Sequence, residues 1–131
     1  MIKITYTAKP RSLRLDISGH AYSGQAGRDL VCAAVSALGY TLARAIQGLD
    51  EAGALYGGSC TGQAGKMRLS VRPRKEMQDV ARLAFETVCG GLELLAENYP
   101  EYVRFTRNAE CGMRNAECGM RNAECGMRNA E

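Results

Sequence analysis

The sequence predicts an α+β domain in two layers: a four-stranded, mainly antiparallel sheet with two helices on one face, in the order ββαββα, followed by a repetitive C-terminal tail. Three observations carry this reading. Apolar and polar residues alternate across positions 2–9 and 13–18, the period of half-buried strands. Apolar residues then step by three and four across positions 31–49, and do so again across 77–95, the period of helices lying on a core.

Each element has its own warrant. Ile2, Ile4, Tyr6 and Ala8 alternate with Lys3, Thr5, Thr7 and Lys9, and Leu13, Leu15 and Ile17 with Arg14, Asp16 and Ser18. Lys9-Pro10-Arg11-Ser12 lies between them, so the pair reads as a hairpin with one apolar and one wet face. Asp29 is placed to cap the first helix, whose buried stripe is Val31, Val35, Leu38, Leu42, Ile46 and Leu49 and whose end falls near Gly53. Ala54-Leu55-Tyr56 and Met67-Arg68-Leu69-Ser70-Val71 read as the third and fourth strands, with glycine-rich turns between them. Met77, Val80, Ala84, Val88, Leu92 and Leu95 form the second helical stripe, which Asn98-Tyr99-Pro100 stops. Gly90-Gly91 inside it costs roughly 1 kcal/mol per glycine and points to close packing or a slight kink there.

The totals set limits. The chain of 131 residues fits one domain, and the net charge of +3 is too small to argue for nucleic-acid binding on charge alone. Positions 107–131 repeat Arg-Asn-Ala-Glu-Cys-Gly-Met, with each copy neutral, so the domain is expected over 1–106 and a disordered tail over 107–131. Three of the six cysteines are copies of one repeat position, and sevenfold spacing without histidine is not a zinc pattern. No metal or other cofactor is expected. Cys32, Cys60 and Cys89 are far apart, which argues against a disulfide framework. The N-terminus runs straight into strand-like alternation, and no apolar run reaches the ~20 residues of a membrane span. The expectation is a cytoplasmic protein with reduced thiols and no membrane partner.

The chemistry concentrates at positions 19–38. His20 is the chain's one histidine, and Cys32 follows twelve residues later, with Gly24 and Gly27 between them. With Asp29 as the cap, Cys32 would fall in the first helical turn, where unpaired N–H groups and the helix dipole favour a thiolate and could hold an oxyanion. His20 would then serve as general base, and Gly19, Gly24 and Gly27 would let a substrate backbone approach. Each part also has a plainer reading: Cys32 as a small core residue, His20 as a turn residue, Asp29 as a cap alone, and Ser36, one turn beyond Cys32, as packing. Cys60 and Cys89 have no histidine to serve them and read as buried or incidental thiols.

Gly19-His20-Ala21, followed by Gly27-Arg28-Asp29-Leu30-Val31-Cys32-Ala33-Ala34-Val35-Ser36, closely resembles the ribosomal-processing cysteine protease family, Prp. The resemblance covers about residues 1 to 105 and includes Tyr99-Pro100-Glu101-Tyr102-Val103. It implies a bacterial cytosolic endopeptidase with a Cys-His dyad, His20 as base and Cys32 as nucleophile, on a small fold that forms homodimers. The implied substrate is large-subunit ribosomal protein twenty-seven, whose short N-terminal extension is removed during ribosome maturation. The rival class is a non-enzymatic, ribosome-associated module that holds RNA on Arg68, Arg72, Arg74 and Lys75; the peptidase reading needs no direct nucleic-acid contact. A thiol redox protein is disfavoured because no Cys-x-x-Cys pair is present.

Overall fold

A computed structural model describes residues 1–19, 26–63 and 65–109. The elements run β1 (Ile2–Lys9), β2 (Ser12–Ser18), α1 (Ala26–Glu51), β3 (Leu55–Gln63), β4 (Lys66–Pro73), a short 3-10 turn (Lys75–Met77), α2 (Gln78–Asn98) and β5 (Val103–Ala109). The sheet has five strands in the order β3-β4-β2-β1-β5. All neighbours are antiparallel except β5, which runs parallel to β1. The expected four strands therefore become five. Val103 is buried and Arg104 exposed, so the alternation of a strand was present but too short to stand out. The Ile2 N–H donates to the Tyr102 carbonyl at 2.8 Å and starts this ladder.

β5 also crosses the expected domain boundary at 106. Arg107, Asn108 and Ala109, the first residues of the repeat, pair with Tyr6, Thr7 and Ala8. Arg107 anchors them, donating to Glu86 at 2.7 Å and to Glu93 at 2.8 Å on α2. The remainder of the tail, from 110 on, lies outside the described residues.

The core lies between the sheet and the helices. Ile2, Ile4, Tyr6 and Ala8 of β1 and Leu13, Leu15 and Ile17 of β2 are buried, as the alternation requires. Val31, Val35, Leu42 and Ile46 of α1 are buried with them, while Leu38 and Leu49 are partly covered. On α2 the stripe is rotated from the expected one: Ala81, Phe85, Val88, Cys89 and Leu92 are buried and Val80 is exposed. Phe85 sets the rotation, because its ring stacks on Tyr6 with centroids 6.0 Å apart. Close packing accounts for Gly91, where a Cβ would sit 3.1 Å from the Leu38 methyls.

α1 ends in a Schellman motif. Gly53 takes a φ of 72°, Ala54 N–H donates to the Leu49 carbonyl and Gly53 N–H to that of Asp50. Residues Leu30–Glu51 of α1 are long and apolar enough to cross a membrane, with a mean hydropathy of 1.4, contrary to the expectation that no run reaches that length. Here the helix lies along the sheet and packs on α2, and small residues such as Ala33 and Ala37 raise the hydropathy of its outer side.

Candidate active site

Three chain segments converge beside α1. Gly19 ends β2 with a φ of 99°, and its N–H donates to the Gly65 carbonyl at 2.9 Å in the β3–β4 turn. A side chain at position 19 would collide with the Met1 carbonyl, so only glycine lets β2 end against the start of β1. α1 comes equally close: a Cβ at Gly39 would lie 2.6 Å from the Met67 sulfur. The result is a cleft of about 360 Å³ lined by Cys32 and Ser36 from α1 and by Gly19, Gln63, Lys66 and Met67 from the strand ends.

The structure thus brings together Gly19, Cys32 and Ser36 in one cleft. Ser36, one turn beyond Cys32, lines it as well. Cys32 is partly buried and packs against the core edge while facing this cleft. His20 follows Gly19 directly in sequence; His20 and Gly24 lie outside the described residues.

The helix start differs from expectation. α1 begins at Ala26, so Gly27 and Asp29 are helical residues and Asp29 is not the cap. Cys32 is near the end of the second turn, where its N–H bonds within the helix and the dipole effect of the first turn has faded. The first-turn oxyanion donors expected at Cys32 are therefore absent there. Lys66 and Gln63 border the same cleft, which the linear sequence did not point to because they come from distant strands.

Tyr40 joins this cleft to a second hollow of about 570 Å³, lined by Arg44, Ile46 and Asp50 of α1 and by Leu55, Gly58 and Cys60 of β3. The hollow exists because the core-facing positions of β3 opposite Val71, Leu69 and Met67 are Gly58, Cys60 and Gly62. None is large enough to fill the space beneath α1. β3 is also an edge strand, so its outer backbone groups are not paired within the sheet. Cys60 is exposed, not buried, although partial burial raises its thiol above the ordinary value. Cys89 is fully buried, and burial pushes its thiol up to about 12. Among the described residues no cluster of His, Cys, Asp and Glu could hold a metal ion.

The family model for cysteine protease Prp matches residues 1–104. The fold is similar to that of SMU.848 from Streptococcus mutans, with a TM-score of 0.65 and 29% identity, covering 84% of this chain and 96% of that one. It is also similar to the essential ribosomal processing protease Prp from S. aureus. The complex of that protein with a covalently linked product peptide gives a TM-score of 0.63 at 25% identity, covering 82% of this chain and 100% of that one. Its complex with a substrate peptide gives 0.62 at the same identity and coverage. No curated protein sequence matches the chain. A family model that spans nearly the whole described domain, on a fold shared with these proteins, means that the chain belongs to the Prp family of cysteine proteases.

Proposed function

We propose that this cysteine peptidase works through a dyad of Cys32 and His20, and that it removes the N-terminal extension of bacterial large-subunit ribosomal protein twenty-seven. One observation carries the reading: Cys32 faces a cleft whose wall includes Gly19, the residue joined to His20, and that cleft runs on at Tyr40 into a second hollow along β3. An extended peptide fits such a path, because an edge strand offers it backbone partners over nine residues, about 30 Å. The substrate class is supported by the S. aureus relative, a ribosomal processing protease seen with peptides.

In this reading His20 takes the Cys32 proton, and the sulfur attacks the scissile carbonyl carbon. Collapse of the tetrahedral species breaks the C–N bond, and the proton passes from His20 to the leaving amine. Water then attacks the thioester, releasing the acid product and the thiol. Ser36, which lines the same cleft one turn from Cys32, then donates to the carbonyl oxygen in this reading. Gly24, Gly27 and Asp29 belong to the segment between base and nucleophile and shape its approach. The enzyme works in the cytoplasm as a homodimer and uses no metal or other cofactor.

The test is incubation with the unprocessed ribosomal protein, followed by mass spectrometry of the products. Wild type should release the N-terminal extension, and Cys32→Ala and His20→Ala should not. Cleavage by Cys32→Ala near the wild-type rate would overturn the assignment, and an intact substrate with wild type would overturn the choice of protein.

A further inference from the structure

The two helices cover one face of the sheet, and the other face is open. Its side chains can be followed in rows across the strands. The row at the Cys32 end holds Arg104 on β5, Lys3 on β1, Ser18 on β2 and Lys66 on β4. The next holds Thr106, Thr5, Asp16 and Arg68, and the third Asn108, Thr7, Arg14 and Ser70. Lys9 and Arg72 lie beyond, and the Arg72 guanidinium rests over Gly57, where a Cβ would come within 2.6 Å of it.

Every charged group on this face is a cation except Asp16, whereas the whole chain carries only +3. The helical side is correspondingly acidic, so a modest net charge conceals a strongly one-sided distribution. Asp16 binds Arg14 at 2.8 Å and Arg68 at 2.7 Å. Lys3, Lys9, Lys66, Arg72 and Arg104 are exposed and hold no ion pair among the described residues. Thr61, Gln63, Lys66 and Arg68 also border a hollow of about 310 Å³ at one corner of the face.

We propose that this open sheet face is an RNA-docking surface that reads phosphates and not bases. Serines, threonines and asparagine between the cations supply the neutral donors that phosphate and ribose contacts use. The face carries no aromatic side chain at any of these positions, so the base stacking of sheet-type RNA readers is absent and sequence preference with it. It also lacks the large apolar residues that would insert into a lipid surface. Because the row of Arg104, Lys3 and Lys66 borders the Cys32 cleft, RNA held on this face would lie beside the peptide site. A protein substrate already bound to RNA could thus reach both. The surface differs from the one expected from sequence, since the Arg74 guanidinium is turned away, donating to the Gly53 carbonyl and lying over the Tyr56 ring.

The proposal does not depend on the peptidase assignment, and its test uses the full chain carrying Cys32→Ala as well as wild type. Binding of a fluorescent 20-nucleotide oligouridine is followed by anisotropy. With one phosphate for each of the five cations that hold no ion pair, affinity should fall about 10²-fold between about 50 and about 200 mM salt. Arg72→Glu with Arg104→Glu should weaken binding at least tenfold, and Arg44→Glu with Arg82→Glu on the helices should not. Asp16→Asn, which removes the single carboxylate and releases Arg14 and Arg68, should tighten it several-fold, a gain that misfolding cannot mimic. Absence of RNA binding, equal losses in both double variants, or binding only to phosphatidylglycerol vesicles would each overturn the proposal.

Discussion

The Arg107 guanidinium lies 5.2 Å from the centroid of the Tyr6 ring and so fastens the last strand to the first. It also bridges Glu86 and Glu93, which stand two turns apart on α2. One side chain from the repeat thus ties the sheet edge to the second helix.

Removing it should be felt. Arg107→Ala leaves two carboxylates facing a partly buried strand and removes a cation stacked on Tyr6. These groups keep some exposure, about 28% for Arg107, so solvent already screens part of the interaction. A loss of about 1–3 kcal/mol is expected in urea unfolding. Truncation after Thr106 should be similarly damaging, and truncation after Ala109, which keeps β5 whole, should be milder. Equal midpoints for the two truncations would show that the docked segment contributes nothing.

Much of this was legible in the sequence, and the failures have physical causes. β1 and β2 were readable because large apolar and charged residues alternate strictly, and a one-residue slip would bury Lys3 or Arg14. β3 beyond Tyr56 was not, because Gly58, Cys60 and Gly62 carry no apolar bulk at the alternating positions. Its strand character comes from the ladder with β4. β5 was hidden because the repeat looked like an independent segment and its first three residues are strand only when β1 is beside them. Asp29 had the chemistry of a cap, but the helix continues back to Ala26. At the site, Cys32 and Ser36 were visible through helical spacing, whereas Lys66 and Gln63 reach the cleft only through the hairpin fold.

Asp16 makes the open face sensitive to acid. Burial alone would raise its carboxyl, but hydrogen bonds from Arg14 and Arg68 outweigh that and hold it below its ordinary value of 3.8. A depressed folded value means the stabilisation is present above the unfolded pKa and is lost as pH falls through the folded one. Asp16→Asn should therefore lower stability at pH 7, where the carboxylate is ionised and paired, and flatten the decline below about pH 4, where wild type loses the same contribution. Parallel acid limbs for wild type and variant, read from midpoints between pH 2 and pH 5, would refute it.

Cys89 governs the alkaline side. Burial first, with a smaller contribution from Glu86 and Glu93 against the opposing pull of Arg107, raises its thiol from 9.0 to about 12. Between those values the unfolded chain releases the proton and the folded chain keeps it, so stability falls as pH rises through that window. The buried Tyr6 phenol is raised in the same sense, by burial first and then by the neighbouring Glu86 carboxylate. Cys89→Ala should reduce the slope of stability against pH above pH 9 while costing about 1–2 kcal/mol of packing at pH 7. The same burial predicts that iodoacetamide leaves Cys89 unmodified in the native protein and labels it in urea. Labelling of Cys89 under native conditions would show that α2 opens readily.

The groove along β3 makes a prediction separable from the dyad. It stays open because Cys60 is small, and it meets the Cys32 cleft at Tyr40. Cys60→Phe places a ring in that space without touching the lining residues Cys32 and Ser36. If the substrate backbone follows the path from Cys32 past Tyr40, the variant should raise KM for a long peptide about tenfold or more, through lost uniform binding, with kcat nearly intact. A peptide too short to pass Tyr40 should be cleaved as by wild type. Tyr40→Ala, which opens the junction without filling it, should impair the long peptide less than Cys60→Phe does. If Cys60→Phe folds normally and cleaves long and short peptides with unchanged KM, the substrate leaves the cleft by another route, and the hollow under α1 has no part in recognition.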